Sequence, residues 1–190
     1  MAPLLIPFTP EWREVRGRRK RARSYAAMAL AEPGEADVLW LADAAAAGDD
    51  DHARWELRYA RMAIAAFVAA RDALDDRTAS EVDEMLREAF AVDERVAPDM
   101  RQLAWRQLAE RMQTYRDAFH ARGAAGGVER MARVLLSFSS GGARSAGPPL
   151  SRAASVLDRY VSEANAALVA AYGAAILPDN VPPSAMPGRR

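Results

Sequence analysis

The sequence predicts an all-α fold, a single-domain bundle of about six to seven helices around one long central helix, and three observations carry that prediction. Pro and Gly punctuate the 190 residues into about seven pieces, several with apolar residues at the 3.6-residue spacing of one helical face. No stretch shows the period-two alternation or β-branched enrichment of a strand. The length is enough to bury roughly 70% of the unfolded surface in one core, without the disulfides or structural metals that very small domains need.

The elements follow in order. Residues 1–8 are an extended apolar arm, with Leu4, Leu5, Ile6 and Phe8 ahead of any helix. Thr9 as N-cap and Pro10 at the first helical position open a basic helix over 9–31, which Pro33 and Gly34 end. A short helix spans about 35–47 and stops at Gly48. Asp49, Asp50 and Asp51 cap a third helix running to about residue 75, with negative charge at its positive dipole end. Between Tyr59 and Ala70 only Arg61 is charged, so this helix is expected at the centre of the core. Thr78 and Glu81 have the spacing of a capping box, followed by Val82, Met85, Leu86, Ala89 and Phe90 on one face. This segment and the next, 99–122, are expected to pack antiparallel to the third helix or to each other, because their connections are short.

Pro98 starts the fifth helix, whose seam Leu108, Met112, Tyr115 and Phe119 leads to a C-cap at Gly123. The sixth, 127–139, buries Val128, Met131, Ala132, Leu135 and Phe138 on one side, and a Gly/Ser-rich loop follows. Ser151 caps the last helix, with Leu157, Val161, Ala164, Leu168 and Ala175 in register. The bundle thus covers 1–177, and residues 178–190 form an irregular Pro-rich tail.

Composition limits the chemistry. With no Cys there is no thiolate nucleophile, zinc knuckle or iron–sulfur ligation, and a reducing, cytoplasmic address is expected. The apolar N-terminus has no basic residue before it and holds Pro3 and Pro7, so it does not read as a signal peptide. The longest nearly uncharged stretch, 164–178, is too short to span a bilayer, so no membrane span is expected. Lys20 is the only lysine among 26 basic residues, which we read as the codon bias of a GC-rich bacterial genome.

Charge is distributed in blocks. The overall balance is zero, but residues 1–24 carry +5, residues 25–99 carry −11 and residues 100–190 carry +6. The first block concentrates Arg13, Arg16, Arg18, Arg19, Lys20, Arg21 and Arg23 around Gly17, a candidate contact for an anion or nucleic acid. Without helix-turn-helix punctuation, such binding would be non-specific. The competing reading neutralises this helix against the acidic middle block, in the same fold or in a neighbouring subunit.

A second candidate is the stripe Arg54, Arg58 and Arg61 on the third helix. Arg54 has Asp50 and Asp51 within reach, whereas Arg58 and Arg61 have no acidic neighbour at helical spacing. An unpaired buried charge is too costly to leave, so partners must come from another helix, Glu81, Glu84 and Glu88 being the leading candidates. The same stripes would serve a small-molecule or anion-binding site, or an enzymatic one.

Metal and catalytic constellations are weak. Asp-x-x-His occurs at Asp49 to His52 and at Asp117 to His120, but an up-down-up arrangement puts the two histidines at opposite ends of the bundle. Glu81-x-x-Glu84 is similar to half of the paired acidic motif of all-α nucleotide pyrophosphohydrolases, yet the Glu-x-x-Asp half is absent. No Ser-His-Asp set is arguable, and the loop SSGGARSAG lacks the Walker lysine. No catalytic residue, metal ligand or cofactor is therefore assigned.

The reading that remains is a non-enzymatic helical interaction or assembly subunit, in a homo-oligomer or with a protein partner. Its expected interface is the arm, Leu4, Leu5, Ile6 and Phe8, together with Leu168, Val169, Tyr172, Ile176 and Leu177 of the final helix. The alternative is an accessory protein that binds nucleic acid through the basic helix.

Overall fold

The computed structural model describes residues 9–72, 76–122, 125–140 and 148–173. These form α1 (Pro10–Ala29), α2 (Glu35–Ala44), α3 (Asp50–Asp72), α4 (Asp76–Ala91), a 3₁₀ turn (Pro98–Met100), α5 (Arg101–His120), α6 (Gly127–Ser139) and α7 (Pro148–Tyr172). No strand occurs among the described residues, and the all-α prediction holds. No helix here is long and apolar enough to cross a membrane.

Helix α3 is central: it packs on each of the other six α-helices. Its second half explains why, since Ala60, Ala63, Ile64, Ala65 and Val68 are buried in succession and leave no polar face. Tyr25 of α1, Leu41 of α2, Leu86 of α4, Leu135 of α6 and Leu157 of α7 close the main core around it. A smaller cluster, Tyr59, Met62, Phe90, Val96 and Leu108, fills the α3, α4 and α5 side under Trp55 and Trp105.

Ion pairs and ring contacts fix the directions. Arg58 meets Asp93, so α4 returns antiparallel along α3, as its short connection predicts. Tyr59 meets Gln107 and Phe67 stacks on Phe119, so α5 packs on α3 in the parallel sense and runs antiparallel to α4, which it meets at Phe90 and Trp105, the second of the two expected arrangements. Arg18 meets Glu81 while Arg95 reaches the Leu30 carbonyl, so α1 and α4 run side by side in the same direction. The start of α1 therefore lies at the far end of the molecule from the start of α3.

Several helix ends differ from the expected ones. The Thr9 hydroxyl accepts from Trp12 N–H and Asp49 Oδ1 accepts from His52 N–H, so both expected N-caps form. Helix α2 stops at Ala44, before a turn in which Ala47 and Gly48 take φ of 53° and 83°. The expected capping box does not form: α4 starts at Asp76, Thr78 is buried inside its first turns, and Glu81 turns to α1. Neutralising a guanidinium on a neighbouring helix outweighs one local cap. Helix α7 starts at Pro148, three residues ahead of Ser151, because a proline in the first turn forfeits no hydrogen bond.

Helix α5 ends at His120, ahead of Gly123, which lies outside the described residues. Its last carbonyls are capped by a side chain from α6: Arg130 donates to Ala118 O at 2.6 Å and to Phe119 O at 3.1 Å. The same corner is tight around a glycine, because a Cβ on Gly127 would sit 3.0 Å from the Phe119 ring and 3.2 Å from the Phe119 carbonyl oxygen. Leu4, Leu5, Ile6, Phe8, Ala175, Ile176, Leu177 and the tail 178–190 also lie outside the described residues.

Candidate functional site

Every arginine of the α3 stripe is engaged by a carboxylate, but none by the carboxylates the sequence suggested. Arg54 pairs with Glu35 of α2 at 3.0 Å instead of with Asp50 or Asp51. Arg58 pairs with Asp93 at 2.5 Å, both side chains being 4% exposed. Arg61 pairs with Glu163 of α7 at 2.7 Å. Glu81 and Glu84 face α1 instead, pairing with Arg18 at 2.9 Å and Arg19 at 3.9 Å. Glu88 is exposed. Helix α4 packs its apolar face, Val82, Met85 and Leu86, into the core, so its glutamates cannot reach α3.

The Arg58 pair belongs to a network. Asp93 Oδ1 also accepts from Arg95 Nε at 2.7 Å and from Arg95 N–H at 3.0 Å, and Arg95 Nη1 reaches Glu32 at 2.5 Å. Burial works to raise the Asp93 carboxyl, but the bonds from Arg95 and the charges of Arg58 and Arg95 outweigh it, so its pKa is lowered. Arg58 is pulled down by its own burial against the attraction of Asp93, and its guanidinium lies 4.3 Å from the Trp55 ring centre. The network locks the α1–α2 corner, the middle of α3 and the end of α4 together.

A second interior pair went unnoticed in the sequence. Glu56, 2% exposed, accepts both Nε and Nη2 of Arg111 at 3.2 and 2.7 Å, a bidentate geometry. The guanidinium is 4.2 Å from the Phe138 ring centre and 5.7 Å from that of Tyr59. Because Glu56 and Arg111 are 55 residues apart and each sits among ordinary helical charges, no local spacing marks them. The only signal was that Glu56 interrupts the buried face of a central helix. Nearby, the Tyr115 and Tyr160 hydroxyls are buried without a hydrogen-bond partner. Burial raises both, Tyr160 to about 12 and Tyr115 well above its ordinary value.

The basic helix divides its cations into two sets. Arg18 is buried against Glu81 and Glu14, Arg19 faces Glu84, and Arg21 lies 5.5 Å from the Tyr172 ring centre. Arg13, Arg16, Lys20 and Arg23 are exposed and have no carboxylate partner among the described residues. Arg16 stacks over Trp12 at 5.0 Å.

The remaining feature is an apolar groove. Helices α4 and α5 both pack on α3 and meet each other where the Phe90 and Trp105 ring centres stand 5.9 Å apart, and beyond that contact a gap remains between them. The gap, about 220 Å³, is floored by Met62, Leu86, Leu108 and Met112 and walled by Trp105 and Ala109. Asp83 and Arg87, themselves paired at 2.9 Å, form one rim, and Gln113 and Arg116 form the other. Of the interface expected at the final helix, Leu168 is buried in the core, Tyr172 is half-buried and Val169 is 50% exposed.

No group of three His, Asp or Glu side chains among the described residues is arranged to hold a metal. His52 reaches the Phe138 carbonyl at 3.2 Å and His120 packs edge-on against Phe119, at opposite ends of the bundle. Comparison with protein-family models, curated proteins and solved structures yields no match, so the geometry alone carries a functional reading.

Proposed function

We propose that this protein is a non-catalytic helical interaction subunit whose docking site is the groove between α4 and α5, and whose partner presents an amphipathic helix. The observation that carries the reading is the apolar gap left between α4 and α5 above their shared support, α3. A third helix fits such a gap with apolar side chains at i, i+3 and i+4. Met62 and Met112 supply an adaptable floor, and Trp105 a rigid wall. Arg116, exposed at the rim and with no carboxylate partner among the described residues, favours a helix with an acidic flank. The charged stripes that would have served an enzyme are engaged in pairs that join helices, which supports an interaction role.

The test is selection from a displayed library of amphipathic α-helices, counter-selected on Ala109→Trp. Ala109 is exposed at the groove wall, so a tryptophan there fills the gap without entering the core. Selected helices should carry paired apolar residues with an acidic neighbour, perturb Trp105 fluorescence and lose at least tenfold in affinity on Ala109→Trp. A library that yields no binder, or binders indifferent to Ala109→Trp, refutes the groove. A synthetic peptide of residues 1–8 competing with the selected helices would assign the groove to the chain's own arm instead.

A further inference from the structure

The four outward cations of α1 are independent of that groove. Arg13, Arg16, Lys20 and Arg23 follow i, i+3, i+7 and i+10, which confines them to an arc of roughly 80° and a line roughly 15 Å long. The arc lies opposite the face that Ala22, Ala26 and Ala29 bury in the core. The carboxylates nearest to α1 on α4, Glu81 and Glu84, are turned to Arg18 and Arg19, away from the stripe.

Like charges at i, i+3 and i+4 destabilise a helix, and each neighbouring pair in the stripe has that relation. No carboxylate among the described residues offsets the repulsion, and Arg16 alone of the four has a ring contact, over Trp12. A row of exposed cations without carboxylate partners is open to an external anion.

We propose that this stripe binds the phosphodiester backbone of duplex nucleic acid without reading its sequence. Three observations select that ligand over other polyanions. A lipid surface would need a broad apolar face beside the charges, and beside this stripe α1 offers only the half-buried Trp12 and Val15, with Trp12 covered by the Arg16 guanidinium. A protein surface would need an anchor beyond exposed ion pairs, each worth little, and the stripe is interleaved with exposed Ser24 and Ala27. A duplex needs neither, because every neutralised phosphate releases condensed counterions. No Asn or Gln lies on α1 to read an adenine edge.

The acidic corner of the molecule does not cancel this field. Tyr25 of α1 donates to the Ala65 carbonyl, whereas Asp49, Asp50 and Asp51 lie at the other end of α3, roughly 22 Å away at 1.5 Å per residue. That exceeds two Debye lengths at about 8 Å each in physiological salt. Carboxylates at the stripe's own end, Glu14, Glu81, Glu84 and Asp72, are paired with Arg18, Arg19 and Arg71, so the zero net charge conceals a cationic end.

The experiment is fluorescence anisotropy of the full chain with two labelled 24-base-pair DNA duplexes of unrelated sequence, from 50 to 200 mM NaCl. Four phosphate contacts predict a slope of log K against log salt of about −3.6, a loss of roughly 150-fold over that range, equal for both sequences. Arg13→Gln, Arg16→Gln, Lys20→Gln and Arg23→Gln combined should abolish the slope, whereas Arg54→Gln, at the other end of the molecule, should leave it unchanged. The proposal is overturned by no binding at 50 mM salt, by a slope that survives the fourfold variant, or by a strong preference between sequences. Co-sedimentation with vesicles of 30% phosphatidylserine in phosphatidylcholine, in place of duplex binding, would also overturn it and assign the stripe to a membrane. Stripe-dependent self-association in sedimentation, with no duplex bound, would overturn it in favour of a second copy.

Discussion

The arginines of α3 and those on the outward face of α1 are the same side chain put to opposite uses. On α3, Arg54, Arg58 and Arg61 each meet a carboxylate from an element distant in sequence, and Arg111 supplies the reciprocal pair to Glu56. On α1, Arg13, Arg16 and Arg23 meet none among the described residues. Burial makes the difference. A guanidinium taken out of water must be matched, so interior arginines report how helices are joined. An exposed guanidinium carries no such obligation, and a row of them is left open to a partner such as the proposed duplex.

The largest effect expected from this contrast is at the Glu56–Arg111 pair. Arg111→Met leaves Glu56 charged, buried and unpaired, and should cost about 3–5 kcal/mol in urea unfolding. Adding Glu56→Leu should recover most of that loss, since well-packed apolar replacements of buried pairs are often neutral or better. A double variant as unstable as the single one would show that the pair supplies net stability.

Asp93→Asn should cost about 2–3 kcal/mol, because it removes the charge that two guanidinium groups share. The pH dependence has a fixed sign. The Asp93 pKa is lowered on folding, so its stabilisation is present above the unfolded carboxyl pKa and is lost as pH falls through the folded value. Unfolding followed from pH 7 to pH 2 should show the wild-type chain losing this increment in acid while Asp93→Asn does not.

A smaller effect is expected in alkali. Burial raises Tyr59 and Tyr160 to about 12, so their neutral forms stabilise the fold fully below the unfolded tyrosine pKa near 10. That contribution is lost as pH rises through about 12. Tyr160→Phe should flatten the stability curve between pH 10 and 12. Because the Tyr160 hydroxyl is buried without a partner, the same variant should be within about 1 kcal/mol of wild type at pH 7, or more stable.

How much was legible in the sequence follows the same division between local and distant. Helix existence, the central place of α3, the Thr9 and Asp49 caps and the α6 limits are set within one or two turns and were readable. The partners of Arg58, Arg61 and Glu56 lie 35, 102 and 55 residues away, and nothing local distinguishes Asp93 or Glu163 from other surface acids. Assigning Glu81, Glu84 and Glu88 to α3 failed because proximity in sequence placed α4 beside α3 but not which face it turned. The capping box failed for a related reason, since Glu81 had a stronger partner across α1. The groove was illegible because it is a gap left between two helices, a property of no single helix.

The most direct test of this contrast is the unfolding free energy of the fourfold variant Arg13→Gln, Arg16→Gln, Lys20→Gln and Arg23→Gln, measured in urea beside the wild-type chain. Outward cations that serve a partner repel one another across three neighbouring pairs, each unfavourable by roughly 0.2–0.5 kcal/mol. Their neutralisation should leave stability unchanged or raise it by up to about 1 kcal/mol. A loss of 2 kcal/mol or more would contradict the account, placing these side chains among the pairs that hold the fold together.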